Sequence, residues 1–177
     1  MSRARELIIR LDEKHDLAVV QYKLPEPEAK KIKKLTTMFS EDQLDPNEAE
    51  SQNYDPHVTI FYGLKDEDLP LVRKGLKNFG PLEYTIEAKP KIFDNPKHDV
   101  LMLPVQSDCF TRLHNHIKEC TGREPPTFKE YNPHCTILYL KKGTPYEHAR
   151  LSSNIDGKTN AVQFSDTQDK QHRIMLR

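Results

Sequence analysis

The amino-acid sequence predicts an α+β fold with two related lobes, in which antiparallel sheets form a central groove and helices pack on the outer faces. Three observations predict it. A decapeptide at residues 54–63 returns 77 positions later, at residues 131–140. In each half, a strand-like segment, an amphipathic segment and a loop precede the decapeptide in the same order. Along the chain, segments whose apolar residues alternate as in a strand are interspersed with segments whose apolar residues have helical spacing.

The first half of the chain is predicted to contain a strand, a helix, a polar loop, the first decapeptide and a second helix. Their spans are residues 18–24, 28–39, 40–53, 54–63 and 68–79. Pro25 and Pro27 separate the first strand from its helix, and Gly80-Pro81 ends the second helix. The loop shows no hydrophobic periodicity, and we expect a loop of this length to overhang the site.

A strand at 84–93, interrupted near Pro90, is predicted to end the first half. The second half is predicted to repeat the order of the first and to add a closing hairpin. Its spans are a strand at 100–105, a helix at 108–120, a loop at 123–130, the second decapeptide at 131–140, a short helix at 146–153 and a hairpin of 161–165 with 171–176. Asp108 is the predicted N-cap of the 108–120 helix, and Gly122 follows its end.

The domain organisation follows from these elements. Residues 1–17 are predicted to form an N-terminal arm or an extra strand. Residues 18–177 are predicted to form a single domain, because 177 residues suffice for one core. Its two lobes, about 18–93 and 94–177, are expected to be intertwined.

Composition excludes several classes of protein. The chain carries 27 basic and 27 acidic residues and no formal net charge, which disfavours a binder of long nucleic acid. Its mean hydropathy is −0.78, and no apolar run predicts a membrane span or a secretory signal. The three cysteines include no CxxC pair, so they favour a reducing compartment over a disulfide framework or a zinc cage. We therefore expect a cytoplasmic location and no membrane partner.

The decapeptide carries the chemical signal. The copies read YDPHVTIFYG and YNPHCTILYL, and six of their ten positions are identical. Each contains His-x-Thr in an apolar run, and residues two apart on a strand point to the same face. His57 and Thr59 therefore share one face, as do His134 and Thr136. Composition alone predicts about half a His-x-Thr, so one copy would carry no information, but two copies in matched segments do.

The two motifs together suit acid–base chemistry on a phosphoester. Two imidazoles, with ordinary pKa values near ~6.5, can act as base and acid around neutral pH. Two threonine hydroxyls can donate to the phosphoryl oxygens, where negative charge develops. No metal or other cofactor is required by this scheme. The competing interpretation, two homologous core strands, does not explain polar residues on the same face of both copies.

Paired His-x-Thr strands in a chain of this length resemble the two-histidine phosphoesterase superfamily, which includes LigT-like 2′–5′ RNA ligases and cyclic phosphodiesterases. The resemblance covers roughly residues 18–176 and implies a bilobal LigT-like fold with metal-independent phosphodiester chemistry. The family motif corresponds here to His57, Thr59, His134 and Thr136. In both copies a proline precedes the histidine and a tyrosine follows the apolar residues, and this longer form of the motif looks most like a phage-encoded branch. That resemblance implies action on a host-defence cyclic nucleotide in the host cytoplasm.

Further residues near the motifs are predicted to contact the nucleotide or short oligonucleotide substrate. They are Tyr54, Phe61, Tyr131, Leu138, Lys141 and Lys142. The two lysines stand where LigT-like RNA enzymes often carry an arginine, whose planar fork they lack. Phe61 and Leu138 are predicted to line the groove because each lies two residues beyond a motif threonine. For the two tyrosines, packing at a strand start is the alternative.

Two other functions are open at this point. The same groove can belong to a non-catalytic module that binds or sequesters a nucleotide. A metallohydrolase is disfavoured, because no pair of histidines has ligand spacing and His114 and His116 would face different ways on a helix. The exact substrate, the roles of the two histidines and the oligomeric state are not fixed by the sequence.

Overall fold

The structure, a computed structural model, describes residues 16–48, 55–126 and 130–177. In these ranges the strands are Ala18–Lys23 (β1), His57–Leu64 (β2), Leu82–Ile86 (β3), Lys91–Asp94 (β4), His98–Gln106 (β5), His134–Lys141 (β6), Ile155–Thr159 (β7), Ala161–Ser165 (β8) and Gln171–Met175 (β9). The α-helices are Glu26–Thr36 (α1), Leu69–Leu76 (α2) and Asp108–Thr121 (α3). The predicted N-terminal arm lies almost entirely outside the described residues, as does Tyr54.

The strands form one curved antiparallel sheet, which confirms the predicted fold class. Its order is β7-β3-β5-β6-β2-β1-β8-β9, and β4 also pairs with β5. Strands from the two halves interleave, since β8 of the second half lies beside β1, and β3 of the first half lies beside β5. The two strands that carry the decapeptides, β2 and β6, are neighbours at the centre.

The helices pack their apolar stripes against the sheet. On α3 the buried residues are Phe110, Leu113 and Ile117, spaced as one helical face requires. The N-cap is Ser107 and not the predicted Asp108, because the Ser107 hydroxyl accepts a hydrogen bond from the amide of Phe110 at 3.1 Å. On α1 the helix begins at Glu26, two residues earlier than predicted, since a proline is compatible with a first helical turn.

The region after β6 differs from the prediction. Residues 146–153 do not form the expected helix, because so short a helix gains few hydrogen bonds and the backbone is used elsewhere. The amide of Leu151, for example, donates to Ala88 O at 3.0 Å. The unpredicted strand β7 follows and pairs with β3, with Tyr84 opposite Gly157. Among the described residues, no helix is long and apolar enough to cross a membrane.

Candidate active site

The two decapeptides meet through one pair of residues. Val58 of β2 lies opposite Cys135 of β6, and the strands run antiparallel. Both residues are fully buried. Continuing the register by one residue in each direction joins the four predicted catalytic residues as two cross-strand pairs, which are His57 with Thr136 and Thr59 with His134.

Cross-strand partners project from the same face of a sheet, so the four motif residues share one face. Each of them is partly exposed, whereas the residues between them are buried. His57 and His134 occupy diagonal positions, which in a regular ladder lie roughly 7–8 Å apart. That separation leaves room for a phosphate group between the imidazoles. The structure therefore brings together the four residues that the repeat predicts.

Both imidazoles are oriented in the same way. Nδ1 of His57 lies 2.8 Å from the carbonyl oxygen of Asp55, and Nδ1 of His134 lies 2.8 Å from that of Asn132. A carbonyl only accepts, so each Nδ1 carries the proton and donates it. In the neutral ring the lone pair is then on Nε2. Nε2 is consequently the nitrogen of each ring that is suited to proton transfer.

A β-bulge follows the first motif and corrects one prediction. Thr59 and Phe61 pair with consecutive residues of β1, which leaves Ile60 as an extra residue on β2. The bulge reverses the alternation, so Phe61 points away from Thr59. Phe61 is only 1% exposed, and its ring lies 5.1 Å from that of His114 on α3. The prediction that Phe61 lines the groove is therefore wrong, because this ring belongs to the core.

The second motif has the matching bulge. Thr136 and Leu138 pair with consecutive residues of β5, which leaves Ile137 as the extra residue. Leu138 is thereby turned to the face of Cys135 and is 2% exposed. The prediction that Leu138 lines the groove is wrong for the same reason. The repeat thus extends to backbone irregularity as well as to side chains.

The same bulges bring two unpredicted tyrosines to the groove face. Tyr62 pairs with Val19 of β1, which shares a face with the partner of Thr59. Tyr139 pairs with Val100 of β5, which shares a face with the partner of Thr136. Because β2 and β6 are antiparallel, the tyrosines flank the motif residues at opposite ends. Their identity in both decapeptides was the available signal, but regular alternation assigned them to the other face.

Strand β1 contributes two further groove residues, which the sequence did not predict. Lys23 pairs with His57, and Gln21 pairs with Thr59. Gln21 is almost fully buried, and its amide donates to the hydroxyl of Ser165 at 3.3 Å. Lys23 is the cation nearest in register to the motifs. No local pattern marks either residue, because their position depends on pairing between strands that are distant in the chain.

Tyr131 holds the loop before β6 onto the other motif strand. Its hydroxyl donates to the carbonyl oxygen of Thr59 at 2.9 Å. Its ring stacks on His114 at 4.4 Å, and Nδ1 of His114 in turn lies 2.8 Å from Ile60 O. These contacts support the packing interpretation of Tyr131 over the predicted substrate contact.

The structure does not bring Lys141 and Lys142 to the histidines. At about 3.3 Å per residue, Lys141 lies roughly 23 Å along β6 from His134. Its ammonium donates to the backbone oxygen of Asp42 at 2.5 Å. Lys142 forms ion pairs with Asp94 and, at 2.9 Å, with Asp99. Both predicted substrate contacts are therefore corrected to structural contacts at the far end of the strand.

The first part of the predicted overhanging loop also packs at that far end. Asp45 donates its amide to Tyr139 O at 3.0 Å, and Leu44 bridges to Leu140. The buried carboxylate of Asp45 lies 3.0 Å from Nδ1 of His98, which is also buried. Residues 40–48 are thus fixed beside the end of β6 rather than over the histidines, and residues 49–53 lie outside the described part of the chain.

The electrostatics of the two motifs differ. Burial lowers the pKa of His134, although its bond to the Asn132 carbonyl opposes this. In the first motif, the neighbouring residue is the carboxylate Asp55. The Lys33 ammonium, 2.7 Å away, holds the pKa of Asp55 below its usual value, and Lys23 and His57 add smaller effects. A charged carboxylate thus neighbours His57, whereas a neutral amide stands at the matching position beside His134.

Cys135 and the paired histidines of α3 do not extend the catalytic set. Burial raises the pKa of the Cys135 thiol to about 12, which makes it a poor nucleophile. Nε2 of His116 lies 3.0 Å from Gly75 O, while His114 bonds to β2. Within residues 16–48, 55–126 and 130–177, no cluster of three His, Cys, Asp or Glu side chains could hold a metal ion.

Comparison with known proteins identifies similar chains. The sequence model of the 2′-5′ RNA ligase superfamily matches residues 69–165, which is more than half of the chain and includes the second motif. A comparison with curated proteins finds no significant match.

Solved structures share the fold at low sequence identity. TT0787 of Thermus thermophilus superposes with a TM-score of 0.62 at 15% identity, covering 91% of this chain and 98% of that one. Kluyveromyces marxianus Usb1 with uridine monophosphate gives 0.56 at 7% identity, covering 91% and 99%. E. coli LigT in apo form gives 0.52 at 13% identity, covering 90% and 94%.

Proposed function

Because the chain belongs to the 2′-5′ RNA ligase superfamily, we propose that it is a metal-independent phosphodiesterase that cleaves a nucleotide phosphodiester by two-histidine acid–base catalysis. Membership supports phosphodiesterase-type activity in general. We propose more specifically that the bond cleaved belongs to a 2′,3′-cyclic phosphate, a 2′–5′ linkage or a cyclic dinucleotide, and that the enzyme acts in the cytoplasm.

One observation carries the proposal. The pairing of Val58 with Cys135 sets two imidazoles and two hydroxyls on one face in two-fold related positions. Binding alone does not need two proton-transfer groups with matched Nδ1 hydrogen bonds. An in-line displacement at phosphorus does need a base on the attacking side and an acid on the leaving side.

The chemical step can be written for a 2′,3′-cyclic phosphate. The base takes a proton from water as the water oxygen attacks phosphorus. The bond from phosphorus to one ribose oxygen breaks, and the acid gives its proton to that oxygen. The product is a phosphomonoester with a free hydroxyl. Thr59 and Thr136 donate hydrogen bonds to the non-bridging oxygens, where charge grows in the transition state.

The electrostatic difference between the motifs supports an assignment of roles. His134, whose pKa burial lowers, is neutral near pH 7 and suits the base. His57 has the carboxylate of Asp55 beside it where His134 has the amide of Asn132, and we assign His57 as the acid. In the reverse reaction the roles exchange.

The duplicated motif also supports a biological role for the proposed enzyme. The longer form of the duplicated motif, with proline before histidine and tyrosine after it, supports a phage-encoded enzyme. Such an enzyme would degrade a cyclic nucleotide signal of host defence.

The test is turnover in excess chelator. The substrates are 2′,3′-cyclic mononucleotides, 2′–5′ oligoadenylate, and 2′–5′- and 3′–5′-linked cyclic dinucleotides. We expect the wild type to convert one class, and His57→Ala or His134→Ala to lower kcat by about 10²–10⁴-fold. The matched control is His148→Ala, since that exposed histidine lies outside the groove and its ring nitrogen bonds to Met38 O at 3.4 Å.

Other outcomes would point elsewhere. Tight binding without conversion would favour the non-catalytic module. Loss of wild-type turnover on chelation would favour a metallohydrolase. Full activity in either histidine variant would overturn the assigned mechanism.

A further inference from the structure

A row of polar residues leads away from the motifs across the groove face. Thr59 of β2 pairs with Gln21 of β1, Gln21 pairs with Gln163 of β8, and Gln163 pairs with Arg173 of β9. Cross-strand partners lie on one face, so these side chains continue the face that carries the catalytic groups. In the neighbouring row, His57 pairs with Lys23.

A pocket of about 780 Å³ lies where these rows end. Lys23, Gln163 and Arg173 all line it, together with residues of the β7–β8 turn such as Lys158. Its lining, which falls wholly within the described residues, contains no carboxylate. Lys23, which lines the pocket, pairs with His57, so the pocket begins one strand away from the first motif and carries positive charge.

The cations that line this pocket differ in whether they form an ion pair. Lys158 forms an ion pair with Glu83 at 2.9 Å. Among the described residues, no carboxylate lies within 4 Å of the charged groups of Lys23 or Arg173. These two cations are available for an anionic ligand, and Arg173 can offer a planar pair of donors to a phosphate.

A buried hydrogen-bond acceptor in the pocket also limits which ligand can bind there. Oε1 of Gln163 is buried and has no hydrogen-bond partner among the described residues. Gln21, its neighbour in the row, is by contrast bonded to Ser165. Buried polar atoms are rarely left unpaired, so the Gln163 oxygen requires a donor that the described residues do not supply. A ribose hydroxyl or a base amino group supplies such a donor.

An anion bound at Arg173 lies too far from the two histidines to be the phosphate that is cleaved. Neighbouring strands lie about 4.8 Å apart, so Arg173 on β9 is three spacings, roughly 14 Å, from β2. The scissile phosphate between His57 and His134 cannot also contact Arg173. An anion in the pocket is a different phosphate of the same substrate.

We infer that this pocket is a subsite for a second nucleotide unit, with Lys23 and Arg173 binding its phosphate and Gln163 accepting from its sugar or base. The inference rests on the proposed function and narrows its substrate class. The preferred substrate carries at least two phosphates, as an oligonucleotide end or a cyclic dinucleotide does. A 2′,3′-cyclic mononucleotide leaves the subsite empty.

The test compares two substrates with the same reactive end. Adenosine 2′,3′-cyclic phosphate has one phosphate, and adenylyl-adenosine 2′,3′-cyclic phosphate has two. We expect kcat/KM to be at least roughly tenfold higher for the dinucleotide, mainly because its KM is lower. This ratio of kcat/KM values should become smaller as the salt concentration is raised. Arg173→Gln should remove most of that ratio. Arg73→Gln, on the outer helix α2, is the matched control and should leave the ratio unchanged.

Binding separates this inference from the proposed function. The two ligands are titrated calorimetrically into the His57→Ala/His134→Ala variant, with and without Arg173→Gln. Tighter binding of the dinucleotide that depends on Arg173 supports the subsite even if the wild type turns over neither substrate. Equal affinities, or an equal loss for both ligands in Arg173→Gln, would overturn it.

Discussion

Val58 lies directly opposite Cys135, and this pair is where the two halves of the sheet join at the groove. Because the pair sits between the histidine and the threonine of each motif, each histidine is placed beside the threonine of the other copy. The site is thus formed by both strands, and neither decapeptide alone contains both histidines and both threonines. Buried side chains at the junction hold the polar face in register.

The first prediction concerns the protonation of His134. Burial lowers its pKa, so we expect its ring signals in an NMR titration to show a midpoint below the ordinary ~6.5. Between the two values the unfolded chain binds the proton and the folded chain does not. Stability should therefore rise with pH through this window and be lost below the folded-state pKa. In His134→Gln this part of the pH dependence of the unfolding free energy should vanish, and its persistence would contradict the prediction.

The second prediction concerns Asp55. Asp55→Asn makes the first motif match the second, where Asn132 stands, and removes the charge beside His57. We expect the alkaline limb of the kcat/KM profile to move to lower pH, with the acid limb unchanged. Lys33→Gln, which removes the ion-pair partner of Asp55 but keeps the carboxylate, is the comparison. A profile that does not move would argue against His57 as the acid.

The third prediction concerns the threonine hydroxyls. Thr136→Val keeps the shape of the side chain but removes the donor, and we expect kcat to fall by about 10²–10³-fold with KM little changed. Thr136→Ser keeps the hydroxyl and should retain most of the activity. If valine and serine behave alike, the hydroxyl is not used in the transition state.

The fourth prediction concerns Cys135. Its thiol is fully buried, and burial raises its pKa to about 12, so iodoacetamide should not modify it in the folded protein at pH 8. Cys109, which is partly exposed, should react first. In denaturant all three cysteines should react. Rapid alkylation of native Cys135, read by peptide mass spectrometry, would show that β6 opens readily.

The fifth prediction concerns the pairing of β3 with β7. A Cβ added at Gly157 would overlap the ring of Tyr84, whose hydroxyl bonds to that of Tyr22 at 2.9 Å. Gly157→Ala should therefore lower the free energy of unfolding by about 1–3 kcal/mol, as overpacking does. Ser153→Ala, an exposed change nearby, should have little effect in the same denaturant titration. An unchanged midpoint for Gly157→Ala would mean that Tyr84 is free to move.

The sequence by itself determined the repeat, most of the strands and the four motif residues. These depend on local information, because period-two alternation and helical spacing are read within a few residues. The face that His57 and Thr59 share could be predicted because the strand is regular between them. Strand β7 could not be predicted, since Gly157 suits a strand only beside the ring of Tyr84.

Only the tertiary structure decided which other residues face the groove. Ile60 and Ile137 each enter a bulge, and one extra residue reverses the alternation for everything beyond it. Phe61 and Leu138 thereby belong to the core, and tyrosines replace them on the groove face. Lys23 and Arg173 reach the groove through partners distant in sequence. Register between strands is set by pairing across the whole sheet, and this is information that no short window of sequence contains.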